Sequence, residues 1–451
     1  MGIISMKTIT EQFLAGIKWN TLEACLYQGI LWGYHLMLFS TFDRSFYGTV
    51  GILFSLLFIG VTLCTLGLDS ALSPFIRHYT ESKSSFGLLA KQQCIPNILI
   101  YGGLLLFAYS YDLNAFFSFF GIPHLEQSFI IVLILLLILE SIKKTIKTFL
   151  GLLFYNPQLA TLEIVYIILY VTTIAGFHYS GIPITLYTLF MPMAFYSALA
   201  IGILAVWLHD FYQQLPNLAY THDATLTKRM VQSRFFGYIN QLGHLIFSGN
   251  MLVAVFAVQS GVAYAAVAKI LSTSIQTIGN VIHRVIGQTS EAALAHAHAY
   301  AADEKQSLFA LANKYTQTSI AILCMLACAF NYQAIAAHAM TTTLHTHALL
   351  VVFGILLLIE PLFMTYEKKY LIEEKGHYLL FYHLTMMFLF GLWIYYKCAF
   401  PLLCLIGFTG VRLAWYKALG MRMISSRRLS RTTSAHLIIC LLVMSVIIIF
   451  C

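Results

Sequence analysis

Charge is what this chain has least of. Asp, Glu, Lys and Arg together make up 10% of its 451 residues, against about 25% in a soluble domain. Too little polar surface is available to cover a core of this size, so a water-soluble globule is excluded and lipid is the solvent. Hydrophobic residues at 59% and a mean hydropathy of +0.79 agree. There is no alternating ten-residue pattern, which excludes a transmembrane barrel. The spans are therefore helical, because lipid cannot satisfy free amides and carbonyls. No glycine-rich phosphate loop occurs, which argues against an ATP-driven pump. No Cys-x-x-Cys occurs either. The nine cysteines, among them Cys25, Cys64, Cys324 and Cys328, sit mostly inside apolar runs and read as small apolar side chains. A cleavable signal is not expected, because the first apolar run, 19–39, is long enough to span and lacks a small-residue cleavage site.

What is there is a series of apolar windows of about 20 residues. They predict helices over 17–41, 47–71, 94–111, 128–147, 158–177, 183–208, 235–257, 262–284, 307–330, 347–366, 377–396 and 401–419, with a further run at 435–451. The expected fold is an all-α polytopic membrane protein of two pseudo-symmetric six-helix bundles. They cover 1–208 and 235–420, joined by a linker over 209–234 and followed by a basic segment, 421–451. With the N-terminus in the cytoplasm, the outside loops carry only Arg44 and Lys397, while Lys and Arg crowd the inside ends (Lys143, Lys144, Lys147, Lys228, Arg229 and many more). That asymmetry predicts a multi-pass protein of the cell inner membrane. The net charge of +8 is then a skin beside anionic lipid and not a nucleic-acid site.

The two halves echo one another. Residues 135–140, Leu-Leu-Leu-Ile-Leu-Glu, match Ile-Leu-Leu-Leu-Ile-Glu at 355–360, an offset of 220 that also pairs Thr145 with Thr365, Asn20 with Asn240 and Leu22 with Leu242. An offset of 217 pairs Phe39 with Phe256, Tyr47 with Tyr264 and Ser55 with Ser272. A repeated half is how many membrane transporters are built.

Leu66-Gly67-Leu68-Asp69-Ser70-Ala71-Leu72 closes the second predicted helix and runs into Phe75-Ile76-Arg77-His78, with Trp19-Asn20 and Gln28 before it and Tyr47-Gly48 between. This order resembles the polysaccharide flippases of the MOP superfamily, the Wzx-type exporters of lipid-linked sugar repeat units. The likeness is clearest over 15–90, and the repeat extends it to about residue 420. Ser73-Pro74 stands where family members often carry arginine. The resemblance implies a non-enzymatic flippase without cofactor. Its partners would be a polyprenyl-pyrophosphate-linked oligosaccharide, membrane lipids and a coupling proton or sodium ion. Multidrug exporters share the core and are the competing reading. A membrane glycan polymerase or ligase is disfavoured, because the outside loops lack the basic residues it needs.

A charge at mid-membrane costs roughly 2.5–3.5 kcal/mol on insertion scales. Lys269, seven residues into the eighth predicted helix, therefore stands out as a cavity cation for phosphate, against the plainer reading of a lysine that snorkels or pairs internally. Arg284 lies fifteen residues on, about 22 Å along the helix, and suits a head group or a basal anchor; Arg412 reads the same way. Asn20, Gln28, Asn240, Gln241, His244 and Asn250 line the first and seventh helices, where amides meet sugar hydroxyls or simply join helices. Glu163 and His383 fall 220 apart and are candidates for a coupling proton. Glu140 and Glu360, the best-matched acids, are expected to pin a cytoplasmic gate, Glu140 through Lys143 and Lys144. Asp69 and Glu23 are expected to close that gate against Arg77 or Lys91. No metal site is expected: His296 and His298 fall in a predicted inside loop, His338, His345 and His347 in or near an outside one, with no companion ligands close by in sequence outside.

Overall fold

The computed structural model describes residues 8–218, 224–246, 248–300, 304–313, 315 and 365–395. Among these, every regular element is helical. The first helix, α1 (Ile9–Thr41), starts on a capping box. Thr8 Oγ1 accepts the Glu11 amide at 3.2 Å and the Glu11 carboxylate accepts the Thr8 amide at 3.1 Å, so two otherwise orphaned donors are satisfied. Helix α2 (Arg44–Cys64) follows a short turn capped by Asp43, which accepts from the Ser45 and Phe46 amides, both at 3.0 Å. The end of the bundle holding this turn is called apical here and the opposite end basal.

At the basal end of α2, Leu66 and Gly67 take positive φ of 48° and 73°. The chain turns there into α3 (Leu68–Leu72), a tight turn at Ser73–Phe75 set by Pro74, and α4 (Ile76–Tyr79). Two demands meet at Gly67: its φ is left-handed, and a Cβ would sit 2.3 Å from the Arg234 carbonyl oxygen. Gly67→Ala is expected to lower stability by about 1–3 kcal/mol. Gly29→Ala, where a Cβ meets nothing within 4 Å, should be neutral or mildly stabilising. Thermal unfolding of the two variants in detergent compares them directly, and equal midpoints would mean that this turn tolerates a side chain.

The first half continues with α5 (Lys83–Ser110), the short α6 (Asn114–Phe119) in the apical loop, α7 (Gln127–Leu152), α8 (Asn156–Tyr179) and α9 (Leu186–Gln214). The second half contains α10 (Ala224–Ile246), α11 (Gly249–Ser260), α12 (Val262–Ile282), a π-helical turn (His283–Gln288), α13 (Thr289–Tyr300) and α14 (His377–Tyr395), with further helical residues at 304–313 and 365–372. The first six spans fall near where the apolar windows put them, most with at least one longer end, but α2 stops at Cys64, short of the expected 71, and the chain turns into α3. Three further expectations change. The single helix expected over 235–257 is a pair, α10 and α11, bent by 58°. The helix expected over 262–284 runs through the π turn to Tyr300, so His296 and His298 lie on α13 and not in a loop. The segment 209–234 is helical at both ends, since α9 reaches Gln214 and α10 starts at Ala224. Helix 401–419, the run 435–451, Glu360, Lys397, Arg412 and the histidines at 338, 345 and 347 lie outside the described residues.

Four described helical stretches are long and apolar enough to cross a membrane, or five if the bent pair counts as one span. Helices α1 and α7 have the length but carry charges towards their basal ends, Glu11, Lys18 and Glu23 on one and Glu140, Lys143, Lys144 and Lys147 on the other. Large apolar side chains stand exposed around the bundle, with Leu99, Leu106 and Phe381 each about two-thirds exposed or more. A soluble protein does not present such a surface, so this is a multi-pass membrane bundle with its apolar belt in lipid.

The core lies in two tiers, and both halves contribute to each. The apical tier packs Tyr34, Val50 and Phe190 with Val253 and Ala265. The basal tier packs Phe13, Phe75 and Phe149 with Met230 and Ala292. Residues from both halves thus pack together in each tier.

Candidate functional site

Helices α2 and α12 cross where α2 has glycine. A Cβ on Gly48 would lie 2.2 Å from the Val262 carbonyl oxygen, and one on Gly51 would lie 2.9 Å from Cγ of Lys269. The missing side chains let the second half press Lys269 into the seam between the halves. Lys269 is 6% exposed. Its Nζ donates to Asn250 Oδ1 at 3.1 Å and to Ser55 Oγ at 3.4 Å, and Ser55 donates to the same Asn250 oxygen at 3.2 Å. Lysine can donate three hydrogen bonds; these two go to neutral oxygens, so the charge is solvated but not neutralised by them.

Asn250 is held there by the break between α10 and α11. Ser248 caps α11, accepting the Met251 amide at 3.2 Å, and Asn250 is the second residue of the new helix. The α11 N-terminus adds its own partial positive charge beside the ammonium. A broken helix whose new amino end stands beside a lysine is an arrangement suited to an anion. Next to it lies an aromatic cluster. Tyr47 Oη is 3.2 Å from His35 Nδ1, and the Tyr34 and Tyr170 hydroxyls are 2.9 Å apart. Phe54 stacks obliquely on Phe190 at 4.8 Å.

Nearer the basal end the seam is latched by polar contacts across the halves. Asn20 donates to Thr289 Oγ1 at 2.8 Å, Thr65 donates to Gln241 at 3.3 Å, and Gln241 donates back to Ser70 at 3.4 Å. Ser73 donates to Glu291 at 2.9 Å, and Glu291 is also ion-paired with Lys368. Arg234 donates to the Leu66 carbonyl at 3.0 Å and to Asn97. Asn20 and Gln241 are therefore used between helices. Gln28 is buried on α1, and Asn240 is buried with its Oδ1 lacking a hydrogen-bond partner. His244 and His383 lie apart from Lys269's neighbours, near Glu367.

The acids sort themselves around three lysines of α7. Lys143 pairs with Glu140 at 2.7 Å, Lys144 with Asp69 at 2.9 Å, and Lys147 with Glu163 at 2.9 Å and Glu23 at 3.9 Å. Glu140 also accepts from Ser197 and, at 3.3 Å, from Tyr166. The expected Glu140–Lys143 pair is present. Lys144 instead crosses to Asp69, and neither Asp69 nor Glu23 takes Arg77 or Lys91 as its ion-pair partner; both of those cations are exposed. The two proton-coupling candidates, Glu163 and His383, lie in separate clusters. Glu163 belongs to the first-half cluster and His383 to the second half. Arg284 falls in the π turn; its side chain lies outside the described residues. Ser55, Glu291, Glu367 and Tyr34 were not singled out as site residues from the sequence, because each has a partner more than a hundred residues away.

No protein-family model and no curated protein matches the chain. Solved structures do. A eukaryotic MATE transporter, AtDTX14, superposes with a TM-score of 0.67 at 12% identity, covering 95% of this chain and 98% of that one. A MATE multidrug-resistance transporter of the MOP superfamily in an outward-facing conformation gives 0.63 at 12%, with 96% of each chain covered. A MOP superfamily transporter from Pyrococcus furiosus, described as having a binding pocket of reverse polarity that suggests a different function, gives 0.63 at 14%, with 93% and 96% covered. The chain therefore has the fold of the MATE and MOP-superfamily transporters along nearly its whole length.

Proposed function

We propose that this protein is an alternating-access transporter whose cargo carries an anionic head group, and that the cargo is a polyprenyl-pyrophosphate-linked oligosaccharide moved from the inner to the outer leaflet. The observation that carries the reading is Lys269, buried in the seam, hydrogen-bonded to neutral Asn250 and Ser55 and set beside a helix amino end. Such a site favours phosphate over a cationic drug. The basic asymmetry of the loops supports a cytoplasmic basal end. The two halves rock about the seam, the latch of Asn20, Gln241 and Glu291 opening towards the cytoplasm and the Gly48–Val262 contact towards the outside. The lipid tail stays in the bilayer while the head group passes between the halves. Glu140, Asp69 and Glu163, tied to α7, stiffen the first half as it moves.

A fold shared with a transporter described as having a pocket of reverse polarity fits a departure from drug export. The second reading, cation-coupled export of small amphiphiles, draws on the aromatic cluster of Tyr34, Tyr47 and Tyr170 next to the seam. Lipid extracts of cells lacking the gene, analysed by mass spectrometry, separate the two. Accumulated polyprenyl-linked oligosaccharide with lost surface glycan is the expected result. An unchanged lipid pool, with raised sensitivity to amphiphilic drugs, would overturn it in favour of export.

A further inference from the structure

The second half holds a cluster that the transport reading does not use. His244 of α10, Glu367 of the helical stretch 365–372 and His383 of α14 converge, their candidate ligand atoms all within 4.8 Å of one another. His244 Nε2 lies 2.6 Å from Glu367 Oε2, and the two imidazole rings have centroids 5.5 Å apart. The carboxylate and His383 are buried, with Glu367 at 3% and His383 at 1% exposed, while the His244 side chain keeps 27% exposure. The convergence is built into the backbone. A Cβ on Gly243 would lie 1.8 Å from His383 Nδ1, so only glycine beside His244 admits the second imidazole.

The geometry points to a binding site for a late divalent transition-metal ion of the zinc class, held by His244, Glu367 and His383. Two imidazoles and one carboxylate form a recurrent three-ligand set for zinc, with a fourth position left for water or a cargo group. Around a tetrahedral ion, donor atoms at bond lengths of about 2.0–2.1 Å stand roughly 3.3 Å apart. Small side-chain rotations close the observed spread to that value. On binding, the ion takes lone pairs from two ring nitrogens and a carboxylate oxygen, and the proton shared by His244 and Glu367 leaves to solvent. The partly exposed His244 edge is the way in. The ion ties three helical segments of the second half together, joining α10, which carries Gln241 of the seam latch, to α14. Sequence spacing hides the site, because the ligands are spread from 244 to 383.

The test uses the full chain in detergent, purified without a histidine tag, stripped with a chelator and titrated with Zn²⁺ and with Co²⁺. The expected result is one saturable equivalent per chain, visible ligand-field bands with Co²⁺, and a raised thermal midpoint. Affinity should fall at least a hundredfold in His244→Gln/His383→Gln, and about tenfold or more in Glu367→Gln. Gly243→Ala alters no ligand and should lose about tenfold as well. Glu367→Gln keeps the shape of the side chain and serves if the double variant does not fold. No saturable equivalent would overturn the site. So would one that survives unchanged in these variants, which would mean binding to others of the chain's 16 histidines.

Discussion

Lys269→Met is expected to abolish most transport while making the protein more stable. The two effects have opposite signs because they have different origins. In the folded protein Lys269 is 6% exposed and its ammonium meets neutral oxygens, so its burial costs several kcal/mol that no carboxylate hydrogen bond among the described residues repays. Methionine has nearly the same length and no charge to desolvate. Its thermal midpoint should rise. A charge-assisted hydrogen bond to a phosphate is worth about 1.5–3 kcal/mol, which is roughly a 10- to 150-fold loss in transport at 1.4 kcal/mol per tenfold. Complementation of a strain lacking the gene gives the rate, and thermal unfolding gives the stability. Full transport with a higher midpoint would show that the charge has no part in cargo handling. A lower midpoint would show that the ammonium is a structural strut.

Lys147→Met should have the largest effect on stability. This one ammonium stands between Glu163 of α8 at 2.9 Å and Glu23 of α1 at 3.9 Å, and both carboxylates are buried. Removing the cation while both acids remain is expected to cost about 3–5 kcal/mol, part of it relieved as an acid takes up a proton. The double variant Lys147→Met/Glu163→Gln should recover at least about 1 kcal/mol of that loss, since the two residues are coupled. Lys144→Met is the contrast. Its side chain is 38% exposed, so losing the pair with Asp69 should cost under about 1 kcal/mol. Unfolding in detergent orders the three. A Lys147→Met protein within 0.5 kcal/mol of the parent would mean that the cluster leaves the first half no stiffer.

Much of the fold could be read from the apolar windows, and the misread ends of α7 and α12 share one cause. Such windows stop at charge. Helix α7 was expected to end near residue 147 and reaches Leu152, because Lys143 is satisfied by Glu140 of the same helix and Lys144 and Lys147 by acids on other helices, so none need leave the helix. Helix α12 was expected to end at 284, and its polar continuation reads as a loop until Glu291 meets Ser73 and Lys368. The break before α11 did carry a local signal. Ser248-Gly249 is a breaking dipeptide with a capping serine, but the apolar run on either side covered it. At the candidate site, Lys269 was legible because a mid-helix charge is costly wherever it points. Its surroundings were not, since Ser55 is 214 residues away in sequence. An offset of 220 pairs equivalent places in the two halves, and Glu163 and His383 accordingly sit in separate clusters.

Helix α12, the π turn and α13 form one unbroken length of helical chain from Val262 to Tyr300. Lys269 sits near one end of it, and Thr289 and Glu291, two of the basal latch points, near the other. Thermodynamic linkage then applies to a single rod. On the proposed transport reading, an anion that favours one tilt of the rod at the lysine would shift the equilibrium of the latch, and an open latch would in return change affinity for the anion by the same factor. The widened π turn lies between the two points, so its stiffness would set how much of that coupling is transmitted.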